Sequence, residues 1–179
     1  MDYLPLFHNL KGRNVLVVGG GEIALRKVRL VQQASAILTI VAKDFCPDLL
    51  EMDANDKAHG CNGLNLVTAP YVHQHMLAVD NVVLVIAATN DRELNRLVAE
   101  QAQKANILAN VVDDPAFSSV IFPSIVDRSP IQIAISSGGD APVLVRLSAP
   151  LFAPVLVPKT AVRFTSSAHR TSVLHLVVP

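Results

Sequence analysis

Three glycines follow the first apolar run of the chain, and their spacing could position a diphosphate. The run Asn14–Val18 leads into Gly19-Gly20-Gly21, and Ala24 completes the pattern Gly-x-Gly-x-x-Ala. In such a pattern the first glycine allows a tight turn, the second lets a pyrophosphate approach the backbone, and the small third residue lets a helix pack against a strand. The first N–H groups of the helix then face the phosphates. The motif predicts dinucleotide binding, and a turn without a ligand is the alternative.

Further candidate cofactor contacts follow the next apolar run. The acidic residue that usually holds the ribose hydroxyls is absent there, because Val41 and Ala42 end the run. Asp44 could reach the ribose or begin the next helix as a cap, and Lys43 could favour a 2′-phosphate. The residues alone therefore leave NAD and NADP open. The cofactor-binding candidates are Gly19, Gly21, Glu22, Ile23, Lys43, Asp44 and Thr89.

Carboxylates close two later apolar runs. Asp113 and Asp114 follow the run Ile107–Val112, and Asp91 follows the run before it. If these runs are parallel strands, both groups lie at the edge where open α/β sheets bind ligands. Asp91 could instead cap a helix, and Asp114 could form a turn before proline. Asp113 is a candidate catalytic residue, because a carboxylate beside the crevice could accept a proton or bind a metal, but its position alone leaves this role open.

The small residues Ser136-Ser137-Gly138-Gly139 could bind an anion through their backbone N–H groups. The alternative is a flexible connection. His73 and His75 lack cysteine or carboxylate partners at the spacing of a zinc site, and so do Cys46 and Cys61. The sequence therefore predicts no resident metal.

Apolar runs alternate with helical patterns over the first two thirds of the chain. Strands separated by helices of this length pair in parallel, and helices cover both faces of the sheet. The sequence therefore predicts an α/β fold with a doubly wound, Rossmann-like parallel sheet. The predicted strands are Asn14–Val18, Ile37–Ala42, Leu64–Val67, Val82–Ala88 and Ile107–Val112, and the predicted helices are Glu22–Ala34, Pro47–Lys57, Val72–Val79 and Asp91–Ala105.

The alternation ends after Asp113. Two apolar runs, Ser119–Phe122 and Ile131–Ser136, have prolines but no helix between them, which predicts a small antiparallel β unit. Such a pair cannot bury itself alone, so we expect it to be a dimerisation unit of a homodimer. The predicted domains are residues 1–113 for the dinucleotide, 114–147 for dimerisation and substrate, and an irregular tail at 148–179.

Composition excludes several classes of protein. The chain has 179 residues, of which 51% are hydrophobic, and its 15 basic and 15 acidic side chains cancel. The zero net charge disfavours nucleic-acid binding, which depends on a basic excess. The longest apolar run, Val82–Ala88, is too short to cross a membrane, and the N-terminus lacks a secretory signal. With only two cysteines, we expect a cytoplasmic protein without a disulfide framework.

Several motifs in a fixed order resemble a known family over the region from Met1 to about Leu147. The motifs are Met1–Phe7, Val18–Gly21 with Ala24 and Arg26-Lys27, Ile86–Thr89, Asn110–Asp113, Phe122–Pro130, Ser136–Gly139 and Pro142–Leu144. The chain resembles the N-terminal module of siroheme synthase, which belongs to the precorrin-2 dehydrogenase and sirohydrochlorin ferrochelatase family.

The resemblance implies a function and roles for individual residues. It implies NAD-linked oxidation of precorrin-2 to sirohydrochlorin, then insertion of ferrous iron as a substrate, in a homodimer. It implies that Asp113 acts in both reactions and that Ser137 is phosphorylated, and a phosphate there would obstruct a substrate that carries carboxylates. Arg128 and Arg146 could bind the substrate's acetate and propionate groups, or could be solvated or interface charges. The substrate-binding candidates are Ser136, Ser137, Gly138 and Arg128.

One departure keeps a second hypothesis open. Family members continue after this region with a charged helical part, whereas here the proline-containing segment Ser148–Pro154 follows. A non-catalytic dinucleotide-binding dimer is therefore the alternative function. A Rossmann reductase for a smaller molecule is a weaker alternative, because the usual Lys, Tyr or His constellation is missing.

Overall fold

A computed structural model of the chain describes residues 3–59, 64–128 and 131–138. The predicted tail 148–179, Arg146, Cys61 and Gly139 lie outside these residues. Within the described part, no helix is long and apolar enough to cross a membrane.

Five parallel strands form the main sheet, in the order β3-β2-β1-β4-β5. The order reverses beside β1, which pairs with β2 on one side and β4 on the other. The prediction of a doubly wound parallel sheet is confirmed. The strands are β1 (Asn14–Val18), β2 (Ile37–Ala42), β3 (Asn65–Thr68), β4 (Val82–Ala87) and β5 (Leu108–Val111), and the helices are α1 (Glu22–Gln33), α2 (Pro47–Ala58), α3 (His73–Leu77) and α4 (Arg92–Lys104).

The sheet is buried on both faces. Successive side chains of a strand point to opposite faces, so the apolar sequence of β1 divides between two cores. Val15 and Val17 pack on the side of α1, and Leu16 and Val18 pack on the side of α4. All four are at most 1% exposed, so the strand is packed on both sides up to the point where the site begins.

Helices α1 and α4 end where the backbone turns left-handed. Ser35 after α1 has φ +58°, and Asn106 after α4 has φ +56°. Asparagine tolerates this conformation better than most residues, so it suits the end of a helix. The observed ends differ from the predicted ones by one or two residues, as does the start of β3 at Asn65.

The predicted strand Ser119–Phe122 is wrong. Its residues cover the outer edge of β5 instead, because the hydroxyl of Ser119 accepts from the N–H of Ala109 at 2.8 Å and that of Ser118 accepts from Val111 at 2.9 Å. The N–H of Ser119 donates back to the carbonyl of Ala109 at 2.8 Å. Side-chain oxygens therefore satisfy β5 where a sixth strand would otherwise pair.

The predicted antiparallel β unit exists, with its first strand displaced. Strand β6 (Ser124–Arg128) pairs with β7 (Ile131–Ile135), and Arg128 lies opposite Ile131 in the register. Ile125 and Ile131 are 46% and 47% exposed. This two-stranded sheet thus presents apolar side chains on its surface.

Candidate functional site

The turn between β1 and α1 requires glycine at its first two positions. Gly19 has φ +125°, and a Cβ there would overlap the carbonyl oxygen of Ala88. A Cβ at Gly20 would overlap the carbonyl oxygen of Asp44, and the carbonyl of Gly20 accepts from the N–H of Cys46 at 2.8 Å. The backbone of the turn is therefore pressed against the segments that follow β4 and β2.

The third glycine opens onto free space. Gly21 is the N-cap of α1 and has no side chain to accept from the first helical turn, and a Cβ built on it would meet nothing within 4 Å. Glu22 and Ile23 follow on the surface, and Ile23 is 42% exposed. Ala24 is fully buried and packs in the core, as predicted for the small residue of the motif. The positive end of α1 is thus accessible to an anion.

The segment after β4 is held by a residue that the sequence analysis missed. The Nδ2 of Asn95 donates to the carbonyl of Thr89 at 2.9 Å, and its Oδ1 accepts from the Thr89 N–H at 3.1 Å and from the Thr89 hydroxyl at 2.7 Å. Asn95 is only 5% exposed and lies on α4. A signal existed in the sequence, because Asn95 shares the helical face of the buried Val98 and Ala99.

Thr89 therefore has an internal role. Its hydroxyl also lies 3.0 Å from the carbonyl of Asp91, so its single proton is engaged within the chain. Its place beside Gly19 keeps the predicted cofactor contact open through other atoms. The cap reading of Asp91 is confirmed, because its side chain accepts from the N–H of Leu94 at 3.0 Å.

The residues after β2 decide against one of the two roles predicted for Asp44. The N-cap of α2 is Cys46, followed by Pro47 at the first helical turn, so the reading of Asp44 as a helix cap is wrong. Proline suits this position because its missing N–H would be unpaired there anyway. Lys43 and Asp44 are both exposed beside Gly20, where they remain candidates for the ribose.

The two aspartates after β5 differ in burial and in their contacts. Asp114 is buried, and its Oδ2 accepts from Nε and Nη2 of Arg92 at 3.1 and 3.0 Å. Asp113 is exposed and has φ +58°, a left-handed conformation that aspartate tolerates. The preceding N–H, of Val112, donates to the carbonyl of Ala87 at 3.0 Å. Asp113 is thus exposed at the carboxyl end of the sheet, and its catalytic role stays a prediction.

A lysine lies near Asp113 and was also missed as a site residue. Lys27 of α1 is half-buried, and its Nζ lies 4.6 Å from the centroid of the Phe122 ring. Burial lowers the pKa of Lys27 from 10.5, and the nearby charge of Asp113 raises it in part. The sequence analysis named Lys27 only in the Arg26-Lys27 motif of the predicted helix Glu22–Ala34, because nothing near it in the sequence indicates that Phe122 approaches it.

Asn110 ties this region together. It is 6% exposed, its Nδ2 donates to the carbonyl of Val120 at 2.9 Å, and its Oδ1 accepts from no described residue. The bond fixes β5 to the segment that carries Phe122.

The Ser-Ser-Gly turn follows β7 on the second sheet. The hydroxyl of Ser136 accepts from the N–H of Gly138 at 3.1 Å, and Gly138 has φ +73°. Ser137 is half-buried. The structure thus brings Gly19, Gly21 and Thr89 together at one edge of the main sheet, and it places the small residues on a different element. Among the described residues, no three His, Cys, Asp or Glu side chains are grouped to hold a metal.

Comparison with known families defines the class of protein. Residues 6–124 match the family model described as "Putative NAD(P)-binding". The chain therefore belongs to this NAD(P)-binding family, in agreement with the predicted class of cofactor.

The chain is also similar to particular proteins of known name. The chain is 52% identical over 147 residues to the siroheme synthases of Stutzerimonas stutzeri and Azotobacter vinelandii, which covers 82% of this chain and 30% of each relative. It thus spans less than a third of the length of these relatives. Among solved structures, "SirC, precorrin-2 dehydrogenase" superimposes with a TM-score of 0.69 and 29% identity, covering 85% of this chain and 71% of that one. The resemblance to the N-terminal region of siroheme synthase is confirmed.

Proposed function

We propose that the chain catalyses the NAD-dependent oxidation of precorrin-2 to sirohydrochlorin. The observation that carries the proposal is the glycine turn, which is closed at Gly19 and Gly20 and open at Gly21, at the same sheet edge as the exposed Asp113. The likeness to a precorrin-2 dehydrogenase over most of the chain supports the choice of substrate.

The residues at the turn fit a dinucleotide. The first N–H groups of α1 would donate to the diphosphate of a bound dinucleotide, and Gly21 leaves room for it beside the backbone. Ile23 offers an exposed apolar surface beside the turn, and Lys43 and Asp44, exposed at the end of β2, would hold the ribose. Bound NAD⁺ supplies the hydride acceptor of the reaction.

The oxidation removes one hydride and one proton from the macrocycle. Asp113 accepts the proton, because it is an exposed carboxylate at the end of β5. Gly19 is held against Ala88, and Asn95 holds the adjacent Thr89, so the floor of the site is rigid.

The predictions of a homodimer, of iron insertion, of phosphorylation and of location go beyond the dehydrogenase reaction. We propose that the sheet of β6 and β7 forms a homodimer contact, on the support of the exposed Ile125 and Ile131. Insertion of ferrous iron, phosphorylation of Ser137 and a cytoplasmic location stay predictions from the sequence.

Incubation of the purified chain with precorrin-2 and NAD⁺ tests the function. We expect the absorbance of sirohydrochlorin to appear with one equivalent of NADH. Asp113→Asn, which keeps the left-handed backbone, is expected to lower kcat by about a hundredfold or more. The control Asp80→Asn changes an exposed carboxylate at the opposite edge and should match the wild type. Protection of the fold by NAD⁺ without any turnover would instead support the non-catalytic dimer.

A further inference from the structure

Lys27 connects the helix of the glycine turn to the end of β5. It lies on α1 one helical turn after Ala24, and its ammonium rests over the Phe122 ring, 4.6 Å from the centroid. A lysine in this position offers three donors to a neighbouring anion. The same helix therefore bears on the cofactor turn through its first residues and on the surroundings of Asp113 through Lys27.

The ammonium has no ion-pair partner in the part of the chain that the structure describes. Among residues 3–59, 64–128 and 131–138, no carboxylate oxygen lies within 4.0 Å of the Nζ of Lys27. Burial disfavours its charged form, and Asp113 compensates only in part, which leaves its pKa below 10.5. The contact with the ring of Phe122 offsets some of this penalty. An anion supplied from outside would complete the environment of Lys27.

The other cations described at this edge are engaged elsewhere. Lys43, exposed after β2, is assigned to the ribose in the proposed function. The guanidinium of Arg92 is already engaged by Asp114. Glu22, Asp91 and Asp113 are acidic and would repel a substrate that carries carboxylates. A half-buried cation is also favoured over an exposed one for binding, because solvent screens it less.

We propose that the ammonium of Lys27 binds a carboxylate of the tetrapyrrole substrate and so orients the macrocycle beside Asp113. This inference rests on the proposed function and adds a substrate-binding residue to it. It also explains why a lysine occupies a position where an apolar side chain of equal length would pack without a desolvation penalty.

Binding of sirohydrochlorin to three variants tests the inference. Lys27→Met keeps the length of the side chain and removes the charge, Lys27→Arg keeps the charge, and the control Lys11→Met removes an exposed charge elsewhere. We expect Lys27→Met to weaken sirohydrochlorin binding, followed by its absorbance, about tenfold, as the loss of a charge-assisted hydrogen bond predicts. Lys27→Arg should stay within about threefold of the wild type, and Lys11→Met should be unchanged. Affinity for NAD⁺ and the midpoint of thermal unfolding should not fall in Lys27→Met.

The outcomes separate this inference from the proposed function. Equal binding by the wild type and Lys27→Met, with turnover intact in the wild type, overturns the role of Lys27 alone. A parallel loss of NAD⁺ affinity and thermal stability in Lys27→Met also overturns it, since that pattern marks a structural residue. If the wild type binds sirohydrochlorin without turning precorrin-2 over, and Lys27→Met binds it more weakly, the role of Lys27 is supported and the dehydrogenase function is overturned. A wild type that binds no sirohydrochlorin overturns both.

Discussion

Two helices of this molecule begin at the same edge of one sheet, and their N-termini are built in opposite ways. At α4, the side chain of Asp91 accepts from the N–H of Leu94, so the chain satisfies its own first turn. At α1, Gly21 places no side chain over the first turn, and the space above it is open. The N-terminal N–H groups of a helix need partners, and a missing cap leaves that place to an external group. The first turn of α4 is thus satisfied within the chain, whereas that of α1 is left open to an external group.

Giving α1 the cap of α4 should produce the largest effect. Gly21→Asp adds a carboxylate that accepts from the first turn of α1, so the fold should gain about 0.5 kcal/mol while the affinity for NAD⁺ falls about a hundredfold through repulsion of the diphosphate. Isothermal titration and thermal unfolding measure the two quantities. Gly21→Asn is the matched variant, since it caps without charge and should lose less affinity. If Gly21→Asp bound NAD⁺ as the wild type does, the diphosphate would not lie at α1.

Removing the clamp on Thr89 should have the next largest effect. Asn95→Ala breaks three hydrogen bonds to Thr89 and leaves a cavity under the segment after β4. We expect a loss of about 2 kcal/mol in the free energy of unfolding by urea, together with a higher KM for NAD⁺. Asn95→Asp keeps the acceptor oxygen but loses the donor, so its free energy of unfolding should lie between those of the wild type and Asn95→Ala. A variant with full stability would show that Asn95 does not hold this segment.

Removing the cap of α4 should have a smaller effect, confined to stability. Asp91→Ala loses the bond to the N–H of Leu94, which is expected to destabilise the fold by about 1 kcal/mol. Because α4 receives no ligand at its N-terminus in this proposal, the affinity for NAD⁺ should stay within about twofold. Urea unfolding and NAD⁺ titration check both values, and Asp91→Ser should recover most of the stability. A large loss of NAD⁺ affinity would contradict the distinction between the two helices.

The smallest expected effect is the pH dependence contributed by Lys27. Its pKa is lower in the folded chain than the ordinary 10.5, because burial disfavours the ammonium more than Asp113 favours it. Between the lowered pKa and 10.5 the unfolded chain therefore binds more protons, and the free energy of unfolding rises with pH. Relative to Lys27→Met, the wild type should gain stability as the pH approaches 10.5. Unfolding curves of both proteins across alkaline pH measure the difference, and the opposite slope would contradict the burial of Lys27.

The sequence predicted those parts of the molecule that depend on local patterns. The β-branched apolar runs gave the five parallel strands, since such runs are buried on both faces of a parallel sheet. The spacing of Gly19, Gly21 and Ala24 gave the turn, because its steric demands lie within a few residues. The position of Asp113 at the sheet edge followed from the strand that precedes it.

The contacts that the sequence did not predict are those between distant segments. Nothing near Lys27 indicates that Phe122 approaches it from far along the chain, and the choice of Cys46 over Asp44 as the helix cap depends on how the backbone passes Gly20. The run Ser119–Phe122 has the apolar content of a strand, yet its hydroxyls and backbone bond to β5 instead. In each of these places, contacts with distant parts of the chain determine the structure more strongly than the local sequence preference does.

The serine hydroxyls along β5 have a consequence for association between molecules. An uncovered outer strand offers a row of donors and acceptors to which any other extended chain can attach. Here Ser118 and Ser119 occupy the N–H groups of Val111 and Ala109 on that side. Addition of a foreign strand would first have to displace these bonds, so this border of the molecule is protected against edge-to-edge aggregation.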